Sequence, residues 1–210
     1  MKKRTFLFSA LALIAIALGL STQFTAPLSV SAQEPETKSV QEPEANKAET
    51  WYRTLVVDVA CDATTFRLNK SGTIMDARRG DGFMVQGKIY PGYTIPRGGT
   101  MENPGPFDPR IAPGSTGQWV CRGTFSYDIG EILQGAEPHL FSTQYHLFND
   151  GRGIVHDGPE GGGTQIRAIL GGMGPYAGFT GEVIEEPLGV NATGLFNIRF
   201  TFKFKQTNKR

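Results

Sequence analysis

The stretch FNIRFTFKFK, residues 196–205, decides the class of fold. Its phenylalanine and isoleucine side chains all occupy even positions, while the odd positions carry asparagine, arginine, threonine and lysine. A β-strand sends alternate side chains to opposite faces, whereas a helix repeats about every 3.6 residues. The alternation therefore predicts a β-strand with one apolar and one polar face.

Two further segments show the same alternation. In 119–127 and in 141–147, the large apolar side chains occupy odd positions and the even positions are mostly polar. We expect these apolar positions to face the core, as on half-buried antiparallel strands. The remaining strand candidates are residues 51–61, 83–90, 153–157, 164–170 and 181–186, which brings the number of predicted strands to about eight.

Turn-forming residues separate the predicted strands. They occupy NDGRG at 149–153, GPEGGG at 158–163 and the longer stretch 91–117. Downstream of residue 32, no amphipathic pattern is sustained over the length of an ordinary helix. An all-β fold, an eight-stranded antiparallel β-barrel, is therefore predicted, with a β-sandwich as the alternative. The interior of such a barrel is either filled by side chains or leaves room for one small ligand.

The N-terminal region is typical of an export signal. MKKR at 1–4 is basic, 6–20 is apolar, and VSA at 30–32 provides the small residues of a cleavage site. The apolar run is shorter than the ~20 residues of a membrane span, so we expect no stable membrane insertion. Residues 1–32 are therefore predicted to be a signal peptide of bacterial type, and the protein to be secreted or periplasmic.

The segment 33–50 differs in composition from the rest of the chain. It contains five glutamates, two lysines and no aromatic residue. Such a segment has too little apolar surface to offset the entropy lost on ordering, so a disordered acidic linker is predicted. Residues 51–210 then form one domain.

The charge of the chain is nearly balanced. Against 21 lysine and arginine residues there are 20 aspartate and glutamate residues, a formal net charge of +1. Phosphate recognition requires a basic stripe, and the sequence has none, so nucleic acid is excluded as an expected partner.

Three motifs, taken in order, resemble one known superfamily. GDGFMVQGKIY at 80–90 resembles the second-strand motif of allene oxide cyclases and dirigent proteins. FSTQYHLF at 141–148, followed by NDG, resembles their central hairpin, and GGMGPYAGFTGEV at 171–183 is similar to their glycine signature. The resemblance covers essentially residues 51–205.

The resemblance implies an eight-stranded barrel, commonly a homotrimer, with an apolar cavity for a small hydrophobic molecule. Allene oxide cyclases close a ring in an oxidised fatty acid, and dirigent proteins orient phenoxy radicals during coupling. Neither activity requires a cofactor, so none is expected here. Confinement in a near-attack geometry is sufficient for a reaction that is intrinsically easy.

Two acids on the first strand are catalytic candidates through the resemblance. Asp58 matches the position where the cyclases carry an acid, and Asp62 lies closer to the aspartate of dirigent proteins. Both have the opposite parity to Val57 and Cys61, so an interior built from those apolar residues places the acids outside as solvated carboxylates. Ala60 stands where the cyclases carry a polar amide, which argues against fatty-acid cyclisation.

The two cysteines, Cys61 and Cys121, share the apolar parity of their strands. Export would favour a disulfide between them, and two buried thiols are the alternative. Register with the cyclases implies that Cys121 lies in the cavity wall and Cys61 on the other side of the sheet. The candidates for lining a ligand cavity are Cys121, Phe125, Tyr127 and Tyr145.

Two other site types are not supported by the sequence. The GxGxxA pattern at 172–177 matches a dinucleotide-binding motif, but residues 178–184 predict turn and strand rather than helix. His139, His146 and His156 lack a recognised metal-ligand spacing, so no metal site is expected.

Three functions are compatible with the sequence. The first is an exported, cofactor-free isomerase or cyclase acting on a small apolar substrate. The second is a non-catalytic barrel that binds a hydrophobic molecule or guides its coupling, as dirigent proteins do. The third is a structural exported oligomer with a filled interior. An open cavity would separate the third function from the other two.

Overall fold

Eight antiparallel strands close into a barrel in sequence order. The computed structural model describes residues 51–206, and its closing contact is the pairing of the first strand with the last. The strands are β1 (Trp51–Leu68), β2 (Gly82–Pro91), β3 (Gly117–Phe125), β4 (Leu140–Phe148), β5 (Gly153–Glu160), β6 (Gln165–Met173), β7 (Thr180–Val190) and β8 (Phe196–Gln206). The predicted eight-stranded barrel is confirmed, and the sandwich is not formed. The predicted signal peptide (1–32) and acidic linker (33–50) lie outside the described residues.

Within the part of the chain that the structure describes, helical structure is confined to short connections. The α-helix α1 spans Ile129–Leu133, and two 3-10 turns span Ile74–Asp76 and Gly174–Tyr176. Within residues 51–206, none of these helices has the length and apolar character needed to cross a membrane. The glycine-rich stretch 172–177 leads through its 3-10 turn into β7, as the turn-and-strand interpretation predicted.

The even positions of β8 form a column of rings inside the barrel. Phe200, Phe202 and Phe204 are fully buried, and their successive ring centroids lie 6.2 and 6.0 Å apart. Burying each ring stabilises the fold by about 1.5–3 kcal/mol relative to leaving it exposed. The opposite face of β8 carries Arg199 and Lys203. The apolar positions of the sequence therefore face the barrel interior, and the polar positions face outward.

The inward and outward faces of strand β4 are the reverse of the predicted ones. Ser142, Gln144 and His146 are buried inside the barrel, whereas Phe141 is 53% exposed and Leu147 is 37% exposed. The prediction assumed an apolar interior along the whole barrel. Buried polar groups are stable where they bond to one another, and several of those on β4 find partners on neighbouring strands.

A long connection covers part of the outer wall. This outer strap, residues 92–116, packs Ile95 and Phe107 against Tyr90 and Leu188 on the outside of the barrel. Backbone hydrogen bonds hold it at several points, including Gly98 N to Leu188 O at 2.8 Å. The strap therefore buries outward-facing wall residues that a bare barrel would expose.

Asp58 joins the outer strap to the barrel wall. Its side chain is fully buried and accepts hydrogen bonds from Arg199 Nε at 2.8 Å, from Arg199 Nη2 at 3.1 Å and from the Ile95 backbone N–H at 2.9 Å. Arg199 also lies against the Tyr93 ring, with its guanidinium carbon 4.2 Å from the ring centroid. A paired buried charge of this kind is stable only while both partners are present.

Removing the charge of Asp58 is expected to destabilise the protein. Asp58→Asn leaves Arg199 uncompensated in a buried position and should cost about 3–5 kcal/mol of unfolding free energy, measured by urea denaturation. The control is Asp150→Asn, which breaks an exposed ion pair with Arg152 and should change stability far less. Equal losses in the two variants would contradict the role given to Asp58.

Candidate functional site

The barrel interior is filled at one end and open at the other. The filled half contains the phenylalanine column together with Tyr176, His146 and His156. The open half, beside α1, holds a cavity of about 180 Å³. Its apolar wall includes Phe66, Phe83, Val85, Trp119, Phe125, Ile129, Leu140, Phe196 and Ile198.

A second concave region lies elsewhere on the molecule. It is a shallow groove of about 500 Å³ on the outer wall, lined in part by Arg67, Met84, Arg122 and Phe141. Although this groove is larger, it is a shallow depression on the outer wall, whereas ligand pockets usually bury most of the ligand surface. The cavity inside the barrel is therefore the candidate functional site.

Five polar side chains from four strands converge where the cavity meets the filled half. This polar network consists of Ser142, Gln144, Glu160, Arg167 and Glu185, and the two glutamates line the cavity. Gln144 Nε2 donates to Glu160 Oε1 at 2.8 Å and to Glu185 Oε2 at 3.2 Å. Its Oε1 accepts from Trp119 Nε1 at 2.9 Å, which ties the network to the apolar wall.

Arg167 bridges the two carboxyl groups. Its side chain is completely buried, and Nη1 donates to Glu160 Oε1 at 3.0 Å and to Glu185 Oε2 at 3.1 Å. Nη2 donates to the backbone oxygen of Ser142 at 2.5 Å and to its Oγ at 2.7 Å. The Ser142 hydroxyl in turn donates to Glu160 Oε1. A buried guanidinium held in this way keeps both acids in one place.

The local backbone makes room for Arg167. Gly158 on β5 pairs with Ser142 on β4, directly beside the arginine. A Cβ atom added at Gly158 would lie 3.1 Å from Cγ of Arg167. Since contacts that short are rarely tolerated, glycine at this position lets the guanidinium reach across the strand.

Glu185 is an acid that holds its proton. Burial raises its pKa to about 8, and the nearby Glu160 carboxyl adds to the rise, while Arg167 and Gln144 oppose it. Burial likewise raises the pKa of the Cys61 and Cys121 thiols well above the ordinary value. Near neutral pH, Glu185 therefore supplies a carboxylic acid and the cysteines supply uncharged thiols.

Each glutamate uses only one of its oxygens in the network. Within residues 53–205, the hydrogen bonds reach Oε1 of Glu160 and Oε2 of Glu185. The other two oxygens, Glu160 Oε2 and Glu185 Oε1, accept none from those residues, although both side chains line the cavity. The site therefore offers two carboxyl oxygens to whatever occupies the cavity.

The predicted cavity residues divide into two groups. Cys121 and Phe125 line the cavity. Tyr127 packs at the edge of the core under Arg79, whose guanidinium carbon lies 5.1 Å from the ring centroid. Tyr145 faces outward beneath Arg122, because the parity of β4 is the reverse of the predicted one.

The two acids expected from the resemblance lie outside the cavity. Asp58 is on the outer face of β1 beneath the outer strap, and it is buried there rather than solvated. Asp62 has the same parity, and its Oδ1 accepts hydrogen bonds from the backbone and hydroxyl of Thr64. Apolar Val57 and Cys61 occupy the inward positions of the strand, so neither acid can reach a ligand inside the barrel.

Both cysteines point into the barrel as free thiols. This corrects the placement of Cys61 on the other side of the sheet. Cys61 pairs with Gly87, whereas Cys121 pairs with Val85, so the whole of β2 separates them. Two strand spacings amount to about 10 Å, which exceeds the ~7 Å Cα separation that a disulfide can bridge.

His146 and His156 meet in the filled half, with ring centroids 5.2 Å apart. Among the described residues, none bonds to any of their four ring nitrogens. Burial lowers the pKa of His146 to about 3 and the pKa of His156 well below its ordinary value. His139 lies apart at the cavity, and residues 53–205 contain no cluster of three or more side chains suited to a metal ion.

Sequence reasoning missed the polar network. Glu185 shares the inward parity of Val183 on β7, and Arg167 shares that of Ile169 on β6. A charged residue that shares the parity of Val183 was a signal for Glu185. Strand β6 gave none for Arg167, because its more apolar positions, Ile166, Ala168 and Leu170, face outward. Glu160 gave no such signal, because it lies among glycines and a proline.

Comparison with known proteins gives a likeness of fold. No family model and no curated protein sequence matches the chain. The pterocarpan synthase dirigent protein PsPTS1 superposes with a TM-score of 0.53 at 15% identity, over 76% of this chain and 97% of that one. The pterocarpan synthase dirigent protein GePTS1 gives 0.52 at 11% identity, over 82% and 98%.

A Diels-Alderase, AbmU from Streptomyces koyangensis, is similar at a TM-score of 0.45 and 14% identity, over 77% of this chain and 72% of that one. The protein has the barrel fold of the allene oxide cyclase and dirigent-like proteins, as the three sequence motifs indicated. At these identities the likeness extends to the fold alone.

The histidine pair predicts an acid-sensitive fold. Both native pKa values are lowered, so each histidine contributes stability that is present above pH ~6.5 and is lost as pH falls towards the native value. His146→Phe should remove the contribution of His146 to this pH dependence, which is about 1.4 kcal/mol of unfolding free energy per pH unit below pH ~6.5. Urea denaturation of both proteins from about pH 7 to pH 5 measures the difference, and a difference that does not vary with pH would contradict the prediction.

Proposed function

We propose that this protein is an exported barrel that binds a small hydrophobic molecule in its open half and isomerises or cyclises it without a cofactor. The observation that carries the proposal is an apolar cavity inside the barrel with a buried carboxyl group in its wall, whose pKa burial raises to about 8. The third function, a structural barrel with a filled interior, does not agree with the cavity in the open half.

The size of the cavity limits the ligand. A cavity of about 150 Å³ in another protein accepts benzene, so 180 Å³ accommodates roughly one substituted ring. It lies below the ~300 Å³ at which pockets for drug-sized molecules begin. A long-chain fatty acid does not fit this volume, which agrees with the departure at Ala60 from the cyclase pattern.

The chemistry proposed for the site is general acid catalysis. Protonated Glu185 donates its proton to a basic atom of the ligand, and Arg167 Nη1 at 3.1 Å stabilises the carboxylate that forms. The ligand rearranges while the apolar wall excludes water and restricts its shape. The product returns one proton to Glu185, so an isomerisation balances without any cofactor.

The proposal also includes self-association of the chain and its export. Leu170 and Ile166 on the outer face of β6 are 60% and 63% exposed, and Met173 at the end of that strand is 48% exposed. Exposed apolar residues at this density support an interface between copies of the chain, a trimer by resemblance. The N-terminal segment 1–32 supports a location outside the cytoplasm.

Replacing the Glu185 carboxyl group, the proposed proton donor, should strongly reduce catalysis. Glu185→Gln is expected to lower kcat by about 100-fold or more on any small epoxide or enone that the wild type isomerises, with a smaller effect on KM. The control is Glu182→Gln on the exposed face of the same strand, with full activity expected. Product formation is followed by chromatography.

Two results would contradict parts of this proposal. Binding of one-ring compounds by the wild type, with no turnover across such a panel, would favour the non-catalytic, dirigent-like alternative. Failure of the wild type to bind a one-ring apolar probe such as toluene would remove the ligand-binding function itself.

The proposed interface predicts a change in mass. Ile166→Glu places a charge in the apolar outer face of β6 and should convert the oligomer into monomers in native mass spectrometry. Ile111→Glu, on the outer strap and 81% exposed, is the control and should leave the oligomer intact. A wild-type protein that is monomeric at micromolar concentration would contradict self-association.

A further inference from the structure

The groups around the cavity contain one more acid than base. Glu160 on β5 and Glu185 on β7 face a single guanidinium, that of Arg167 on β6. The other titratable groups that line the cavity are Cys61, Cys121 and His139. Burial raises the pKa of both thiols and lowers the pKa of the imidazole, so all three are uncharged near neutral pH.

The two acids are held side by side by shared donors. Arg167 Nη1 and Gln144 Nε2 each bond to both carboxyl groups, at distances between 2.8 and 3.2 Å. These bonds occupy one oxygen of each carboxyl group. The Glu185 side chain lines the cavity and is 9% exposed, and its Oε1 accepts no hydrogen bond from the described residues.

The rest of the cavity wall suits an apolar body with a positive charge. Phe66, Phe83, Trp119, Phe125 and Phe196 contribute aromatic rings. Aromatic faces attract cations, and they attract them more strongly where water is excluded. A carboxylate ligand would instead meet two glutamate oxygens, which repel it.

We propose that the ligand of this cavity is a small lipophilic amine, bound as its ammonium ion with N–H groups donated to Glu160 Oε2 and Glu185 Oε1. This inference rests on the ligand-binding part of the proposed function, because it names a class of molecule that the same cavity binds. An ammonium ion bound to ionised Glu185 is a ligand of the cavity and is not protonated by Glu185. The ammonium ion supplies the missing positive charge and takes the place of the proton on Glu185. One proton therefore passes from Glu185 to the buffer when the amine binds.

The test compares three probes of nearly equal size: benzylamine, benzyl alcohol and benzoate. Isothermal titration calorimetry near pH 7, in two buffers of different ionisation enthalpy, measures both affinity and proton release. Benzylamine is expected to bind about tenfold or more tightly than benzyl alcohol, since charge-assisted hydrogen bonds replace neutral ones. Its binding should release close to one proton, the binding of benzyl alcohol should release none, and benzoate should bind weakest.

Variants test whether Glu185 and Glu160 cause the preference for benzylamine and the release of the proton. Glu185→Gln should bring the affinity ratio of benzylamine to benzyl alcohol close to one and abolish proton release. Glu182→Gln, on the exposed face of β7, should keep the wild-type ratio. If Glu185→Gln does not fold, as judged by circular dichroism, Glu160→Gln tests the same point because its free oxygen is the second acceptor.

The outcomes separate this inference from the proposed function. Equal or tighter binding of benzyl alcohol, or amine binding without proton release, would overturn the amine while leaving a hydrophobic-ligand barrel. A wild-type protein that binds none of the three probes would overturn both.

Discussion

The pairing of β1 with β8 is the constraint on which the rest of the structure depends. It runs from Trp51 opposite Gln206 to Ala60 opposite Asn197, and it turns an open sheet into a tube. Closure gives every strand an inner face and removes the unpaired sheet edges that promote aggregation. Because both faces of the wall are then defined, shifting one strand by one residue would exchange the inner and outer side chains of that strand.

Within the closed tube, the two halves of the interior have different roles. The filled half holds the phenylalanine column and two uncharged histidines, and its burial provides much of the stability. The open half leaves the cavity unfilled, and its wall places Glu160, Glu185 and Arg167 against it. The packed half borders the polar network and supports its geometry, because side chains in a densely packed interior have little room to move.

The outer strap shows how an acid can be buried without serving the interior. Asp58 matches a catalytic position by resemblance, yet it bonds to Arg199 and to the strap on the outside of the wall. The acids that face the cavity come from β5 and β7 instead. Proteins that share this barrel therefore need not share the positions of their functional residues, since the parity of each strand decides which side chains face the cavity.

The sequence by itself determined the number of strands, their order along the chain and the inner face of β8, because alternation with period two is a local property of the backbone. It also predicted that Cys121 and Phe125 line a cavity. The orientation of β4, the burial of Asp58 and the meeting of Glu160, Arg167 and Glu185 were decided only by the tertiary structure. Those features depend on which side chains closure brings together from strands distant in sequence, and local alternation contains no information about such partners.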